Sequence, residues 1–292
     1  MQNNSIEKTS TSTTSSPLLI IGQDMHIMNP LLKRAVESRD TNLLTAIAVK
    51  QVEAGAHALD LNLGPAEKSN SQIRWAVETL LNTVEVPLFI SSHVLSQPEI
   101  LDMHRQTATI NSVTADPANL AAAMATAKNH GSRLVVLLVQ PGLTPFSVDD
   151  RLQVAAEVLE TADRQGFPFA DLYLDPLFHL HPDPMTWQLS RGVPDVDSVL
   201  ETIELIPQLA GEKVHTLVAL SSASQFLPGS ERSGLHCRLL PMLAAAGLDA
   251  VILNCHDSQL MQIASAPDLD IEHRLSPPMG ADADMNTAAL HW

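Results

Sequence analysis

Gly55-Ala-His-Ala-Leu-Asp-Leu-Asn-Leu-Gly-Pro65 is the stretch from which the fold can be read. Gly55 closes the helix-periodic run Thr41–Ala54, which Asp40 opens as a cap. Ala58–Leu63 follows almost at once, too short for a helix and apolar at most positions. A near-continuous apolar run of that length is the pattern of a strand covered on both faces, as in a parallel sheet. The run carries Asp60 and Asn62 at its far end, just ahead of the turn pair Gly64-Pro65. The unit is therefore a helix, a glycine stop and a buried strand with a polar C-terminal end.

The same unit repeats in both directions. Strands are predicted at Leu18–Gly22, Ala58–Leu63, Leu88–Ser92, Thr107–Val113, Leu134–Gln140, Asp171–Leu177, Thr216–Ser222 and Ala250–Asn254. Helices are predicted at Thr41–Ala54, Asn70–Asn82, Pro98–Arg105, Pro117–Asn129, Val148–Gln165, Asp195–Leu209, Ser233–Ala246 and Asp257–Ala264. Pro117 at a first helical position, with Asp116 before it and Gly131 beyond the end, shows how clearly some of these are punctuated. Repeated strand-then-helix units over a span of about 250 residues specify a single (β/α)8 TIM barrel of the α/β class. A dinucleotide-binding sheet would need a glycine-rich turn after the first strand, and Gly22-Gln-Asp-Met-His26 is not one.

Composition fits this reading and narrows the partners. Hydrophobic residues are 45% of the 292 residues but aromatics only 3%, so the core must be aliphatic. With 17 basic and 33 acidic residues the formal charge is −16, which disfavours a nucleic-acid partner. No apolar run approaches the roughly 18 residues of a membrane span. Two cysteines, Cys237 and Cys255, do not make a disulfide framework. Residues 1–17 are a Ser/Thr-rich polar stretch without arginine and read as a disordered leader; 18–265 form the barrel; 266–292, with Pro277-Pro278 and no periodicity, read as a short tail. The expected location is cytoplasmic.

In such barrels ligands bind where the strands end and the βα loops converge. Read at those positions, the chain offers Gln23, Asp24 and His26; Asp60 and Asn62; Ser91, Ser92 and His93; Asn111 and Ser112; Gln140; Asp175; Ser221, Ser222 and Gln225; and Asn254 with His256. Asp60, Asn62, Asn111 and Asp175 stand out, because an unpaired polar group inside an apolar run is costly. The set holds carboxylates, amides and hydroxyls but no Lys or Arg, which disfavours a phosphorylated substrate and suits a flat, neutral, hydrogen-bonding heterocycle.

Leu19-Ile-Ile-Gly22, Gly55 to Pro65, Ile110-Asn-Ser112, Asp171-Leu-Tyr-Leu-Asp-Pro-Leu177, Leu220-Ser221 with Ser224-Gln225, and Gly247-Leu-Asp-Ala250 occur in order along the chain. At these residues it resembles the pterin-binding, dihydropteroate synthase-like TIM-barrel family, and within it the methyltetrahydrofolate:corrinoid methyltransferases. The resemblance implies that methyltetrahydrofolate or a related reduced pterin lies in the cleft, held by Asp60, Asn62, Ser91, Asn111, Asp175, Ser221, Ser222, Gln225 and Asn254. It further implies methyl transfer between N5 of that pterin and the cobalamin or other corrinoid of a separate corrinoid protein, with Asn111 and Ser222 as the catalytic pair and a homodimer as the assembly. The rim departs from the family pattern: Gln23-Asp-Met-His26 replaces Glu-Arg-Ile-Asn, Ser91 and Asn254 replace aspartates, and Ser222 replaces an asparagine. An alternative expectation is therefore a non-catalytic or repurposed barrel subunit of a corrinoid methyltransferase complex, or one in which His26 or His93 serves a different methyl donor. The dihydropteroate synthase branch fits less well, since Asp175-Pro-Leu-Phe178 and Ser221-Ser-Ala-Ser224 lack that branch's cations.

Two local patterns are weaker. His179-Leu-His181 has chelate-like spacing but no third ligand nearby, so no metal site is assigned. Cys255-His256-Asp257 contains the residue types of a nucleophilic triad, yet neighbours in sequence rarely face one another, and Asp257 reads better as a helix cap.

Overall fold

A computed structural model describes residues 17–64, 66–178, 180–181, 193–225 and 227–266. The leader up to residue 16, His179 of the His-Leu-His pattern and the tail from 267 lie outside the described residues. Strands β1 (Leu19–Gly22), β2 (Ala58–Leu61), β3 (Leu88–Ile90), β4 (Thr109–Thr114), β5 (Arg133–Leu137) and β6 (Leu172–Asp175) come first. A two-residue antiparallel pair, β7 (Leu180–His181) and β8 (Val193–Pro194), precedes β9 (His215–Ala219) and β10 (Ala250–Leu253). The eight longer strands close a parallel barrel in the order β1-β10-β9-β6-β5-β4-β3-β2. The predicted TIM barrel is thus the observed one.

The helices lie at α1 (Pro30–Ser38), α2 (Thr41–Glu53), α3 (Ala66–Leu81), α4 (Pro117–Asn129), α5 (Val148–Gln165), α6 (Val196–Ala210), α7 (Leu220–Ala223), α8 (Gly229–Ala245) and α9 (Ser258–Ala264). Their starts obey local chemistry. Asp40, Asp116, Ser147 and Asp257 each accept a hydrogen bond from a first-turn amide at 3.0–3.1 Å. Asp257 is therefore the helix cap the sequence suggested. α1 went unpredicted although Asn29-Pro30 is a good start signal, the Asn29 side chain accepting from Leu31 N at 3.0 Å.

The third unit differs more. Where a helix was predicted at Pro98–Arg105, the chain forms 3-10 turns over Ser92–Ser96 and Pro98–Met103. Short connecting pieces often take the tighter i to i+3 winding, and neither start here carries a side-chain cap. Several strands also end earlier than predicted. β9 stops at Ala219, and Ser221 and Ser222 sit on the single turn α7. β5 stops at Leu137, its last pairing being with Thr114 of β4. A strand ends where its neighbour stops offering ladder partners, and a single sequence does not report that.

Strand alternation divides the core in two. Ile21, Ala58, Phe89, Val135, Tyr173, Leu217, Ala250 and Ile252 point inward and fill the barrel. The intervening residues, such as Ile20, Leu59, Ile90, Leu134, Leu174, Val218 and Val251, point outward and pack under the helices. Phe89 and Tyr173 meet edge to face with centroids 5.8 Å apart, and His215 stacks on Tyr173 at 4.9 Å. A chain this poor in aromatics places two of them here, and they plug the barrel.

Candidate functional site

The same alternation builds the site. Two residues beyond an inward residue is the next inward position. Asp60 follows Ala58 in this way, Ser91 follows Phe89, Asp175 follows Tyr173, Asn254 follows Ile252 and Gln23 follows Ile21. The aromatic plug thus forms the floor, and polar residues make the layer above it, at the C-terminal ends of the strands. Asp60 (8% exposed), Asp175 (4%) and Ser91 (4%) are buried.

Asn111 joins this layer across β3, its Nδ2 donating to Asp60 Oδ1 at 2.9 Å. It faces inward by the same alternation, pairing with inward Val135; the ladder turns irregular only beyond it, where Val113 pairs with Val136 and Ser112 is left out. Burial pushes the Asp60 carboxyl up to about 6, against the pull of the Asn111 bond. Asp175 accepts from Leu177 N at 2.8 Å. Burial pushes it up to about 7, while the Leu177 bond and the charge of Arg151 act the other way. Each carboxyl accepts one hydrogen bond from the described residues, so each retains capacity for a donor from a ligand. At pH 7 Asp175 stands near its midpoint, while Asp60 is mostly ionised.

Other polar atoms around this layer lack partners. Gln23 Oε1, Ser91 Oγ and His93 Nδ1 are buried without a hydrogen bond. Leaving one such group unmade costs about 1–3 kcal/mol; His104 Nε2, Arg133 Nε and His215 Nδ1, away from the strand C-termini, share that state.

The remaining sequence-predicted residues have more local roles. Asn62 Oδ1 accepts from Gly64 N, and Asn254 Oδ1 from His256 N, both at 3.0 Å, so each oxygen holds its own turn. Ser222 donates its hydroxyl to the Ala219 carbonyl at 2.6 Å, which leaves its oxygen as an acceptor. Ser221 and Gln225 are exposed on the loop after β9. Ser224 is buried and pairs with His236 Nε2 at 2.8 Å. Gln140 turns away, to Glu157 Oε2 at 2.6 Å.

At the seam between β1 and β10, His256 Nε2 lies 3.1 Å from Asp24 Oδ2, and Asp24 N is held by Gln51 Oε1 at 2.9 Å. His256 therefore faces Asp24, not its neighbours. Cys255 is buried, and burial pushes its thiol up to about 12. That environment excludes a thiolate nucleophile.

Sequence reasoning missed Arg151. It lies on α5 within Asp149-Asp-Arg151, which reads as an ordinary solvated helix start, yet it is 0% exposed. Its guanidinium bonds the Pro176 and Phe146 carbonyls and Ser198 Oγ, each at 2.9 Å, the Leu177 carbonyl at 3.2 Å, and the Asp195 carboxylate. No spacing rule could have found it, because its partners are 5 to 47 residues away.

No family model matches the chain. Over 258 residues it is 24% identical to the methylcorrinoid:tetrahydrofolate methyltransferase of Eubacterium limosum, covering 86% of this chain and 90% of that protein. Among solved structures, a dihydropteroate synthase of Xanthomonas albilineans matches with a TM-score of 0.62 at 15% identity, covering 90% of this chain and 95% of that one. The dihydropteroate synthase of Vibrio fischeri gives 0.63 at 14% identity with the same coverage. The fold is the barrel of the dihydropteroate synthases. The sequence resemblance to pterin-binding barrels, and to the corrinoid methyltransferases among them, is what these comparisons return.

Proposed function

We propose that this protein is a methyltransferase that moves a methyl group between N5 of a reduced pterin of the tetrahydrofolate class and a corrinoid carried by a separate protein. The observation that carries the reading is the inward layer above the aromatic plug, in which Asp60, braced by Asn111, and Asp175 are buried with acceptor capacity unspent. A reduced pterin presents several ring and exocyclic N–H groups, and buried carboxyls with free acceptor capacity suit such donors. A phosphorylated ligand would meet like charge there.

The residues divide the work as follows. Asp60 and Asp175 accept from the pterin edge, Asn111 fixes the Asp60 carboxyl, and the unpartnered Ser91 Oγ and Gln23 Oε1 extend the polar lining. The corrinoid, held on the partner protein, supplies or takes the methyl group. With its proton given to the Ala219 carbonyl, the Ser222 oxygen is left as an acceptor, which suits the N5–H of unmethylated tetrahydrofolate. Tetrahydrofolate is the methyl partner named for the Eubacterium limosum relative. The protein's contribution is then mainly positioning and electrostatic fit. The unspent acceptor capacity of Asp60 and Asp175 speaks for a ligand-binding barrel over a purely structural subunit.

The test is calorimetric titration with tetrahydrofolate and methyltetrahydrofolate. Both should bind, and Asp60→Ala should weaken binding by about 10- to 100-fold, as expected when a ligand hydrogen bond to a charged group worth about 1.5–3 kcal/mol is removed. Absence of binding by either pterin to the folded wild-type protein would sink the proposal.

A further inference from the structure

Arg151 has five N–H donors, and all five are engaged. An anchor that merely tied α5 to α6 would need only Asp195 and Ser198. Arg151 also grips two consecutive carbonyls, Pro176 and Leu177, in the loop that leaves β6 directly after Asp175.

The geometry of a peptide unit gives this a consequence. The Pro176 carbonyl and the Leu177 N–H belong to one planar trans peptide and point in opposite directions. Arg151 Nε holds the carbonyl end at 2.9 Å, and the amide end donates to Asp175 Oδ1 at 2.8 Å. Arg151 Nη2 holds the next carbonyl, that of Leu177, at 3.2 Å. Leu177 itself has φ 54, a left-handed conformation that a leucine does not adopt unaided. Bonds to the carbonyls on both sides of the residue thus hold this stretch, and the fixed plane of the Pro176–Leu177 peptide aims the N–H at the carboxylate.

We propose that Arg151 is a positioning residue for Asp175, acting through the Pro176–Leu177 peptide: the guanidinium holds the carbonyl side and thereby presents the amide side to the carboxylate that receives the pterin. This rests on the functional reading above for the pterin, though not for the relay itself. Among the described residues Arg151 is the charged group that acts on Asp175.

Two variants test it. Arg151→Lys keeps the charge but cannot span two carbonyls and Asp195 at once. Arg151→Met combined with Asp195→Asn removes both buried charges together, so that neither is left uncompensated. Carboxyl-carbon NMR reads the Asp175 titration directly, and tetrahydrofolate affinity is followed against pH. In a folded variant the Asp175 midpoint should rise by about one unit as the donor to its ionised form is lost, and the Leu177 amide shift should cease to follow it. The Asp60 midpoint should stay in place, and tetrahydrofolate affinity at pH 7.5 should fall roughly tenfold. An unmoved Asp175 midpoint in a folded variant overturns the proposal. Should neither variant fold, the wild type decides: its Leu177 amide must be protected from exchange and titrate with Asp175, and failure of either overturns the relay. If the wild type binds no pterin, the functional reading falls while the NMR measurements still judge Arg151.

Discussion

Replacing Asp175 by asparagine should make the fold more stable at pH 8, even though it removes a carboxylate assigned to ligand binding. Asp175 is 4% exposed and its carboxyl is pushed up to about 7 from an ordinary 3.8. The folded state therefore holds a proton between those values while the unfolded chain does not, so stability falls as pH rises through that window. The difference of about 3 units is equivalent to ~4 kcal/mol once the pH is above both values. Water entering the cleft lessens the penalty, and about 2 kcal/mol is the working expectation. Asparagine keeps an acceptor for the Leu177 N–H and carries no charge to desolvate. The gain should shrink to about 1 kcal/mol at pH 5 and vanish near pH 3, where aspartate is neutral in both states. Urea unfolding of both proteins at pH 3, 5 and 8, extrapolated linearly, measures it. A variant less stable than wild type at pH 8, or a gain that does not change with pH, would refute the argument that desolvation governs this carboxyl. The expected result is the usual one for a site that gives up stability for function.

Two further outcomes follow from packing and burial. Gly22→Ala should destabilise the barrel by about 1–3 kcal/mol in thermal or urea unfolding, because a Cβ there would lie 2.5 Å from Gln51 Oε1, the atom that holds Asp24 N. Cys255 should resist a thiol reagent at pH 8 in the native protein and react on unfolding, since it is buried with its thiol held near 12; native labelling as fast as that of a free thiol would show the burial to be wrong.

Much of this protein is set by local chemistry that a single chain displays. The continuous apolar runs at Ala58–Leu61 and Leu172–Asp175, the glycine after α5 at Gly166, and the caps at Asp40, Asp116 and Asp257 each depend on neighbours within a few residues. Burial period and capping are local properties, so the eight strands, their polar C-terminal ends and most of the helices between them could be read without coordinates. Asp60, Asn111 and Asp175 were legible for a related reason: a polar residue inside a buried run needs a partner, and its position in the run places it near the strand end.

Only the tertiary structure decided what those residues do to one another. The Asn111–Asp60 bond spans 51 positions and joins β4 to β2 across β3, a meeting that no periodicity announces. Ser222 gives its hydroxyl proton to the Ala219 carbonyl because β9 ends at Ala219 and the chain turns into α7 there. His256 pairs with Asp24 because the barrel closes β10 against β1, joining the two ends of the strand series. Arg151, on a helix that reads as solvated, is buried because α5 packs against α6 and the loop after β6. Contacts within a few residues follow from sequence, whereas those that closure of the barrel creates follow from where strands stop and how layers meet, which the whole chain settles together.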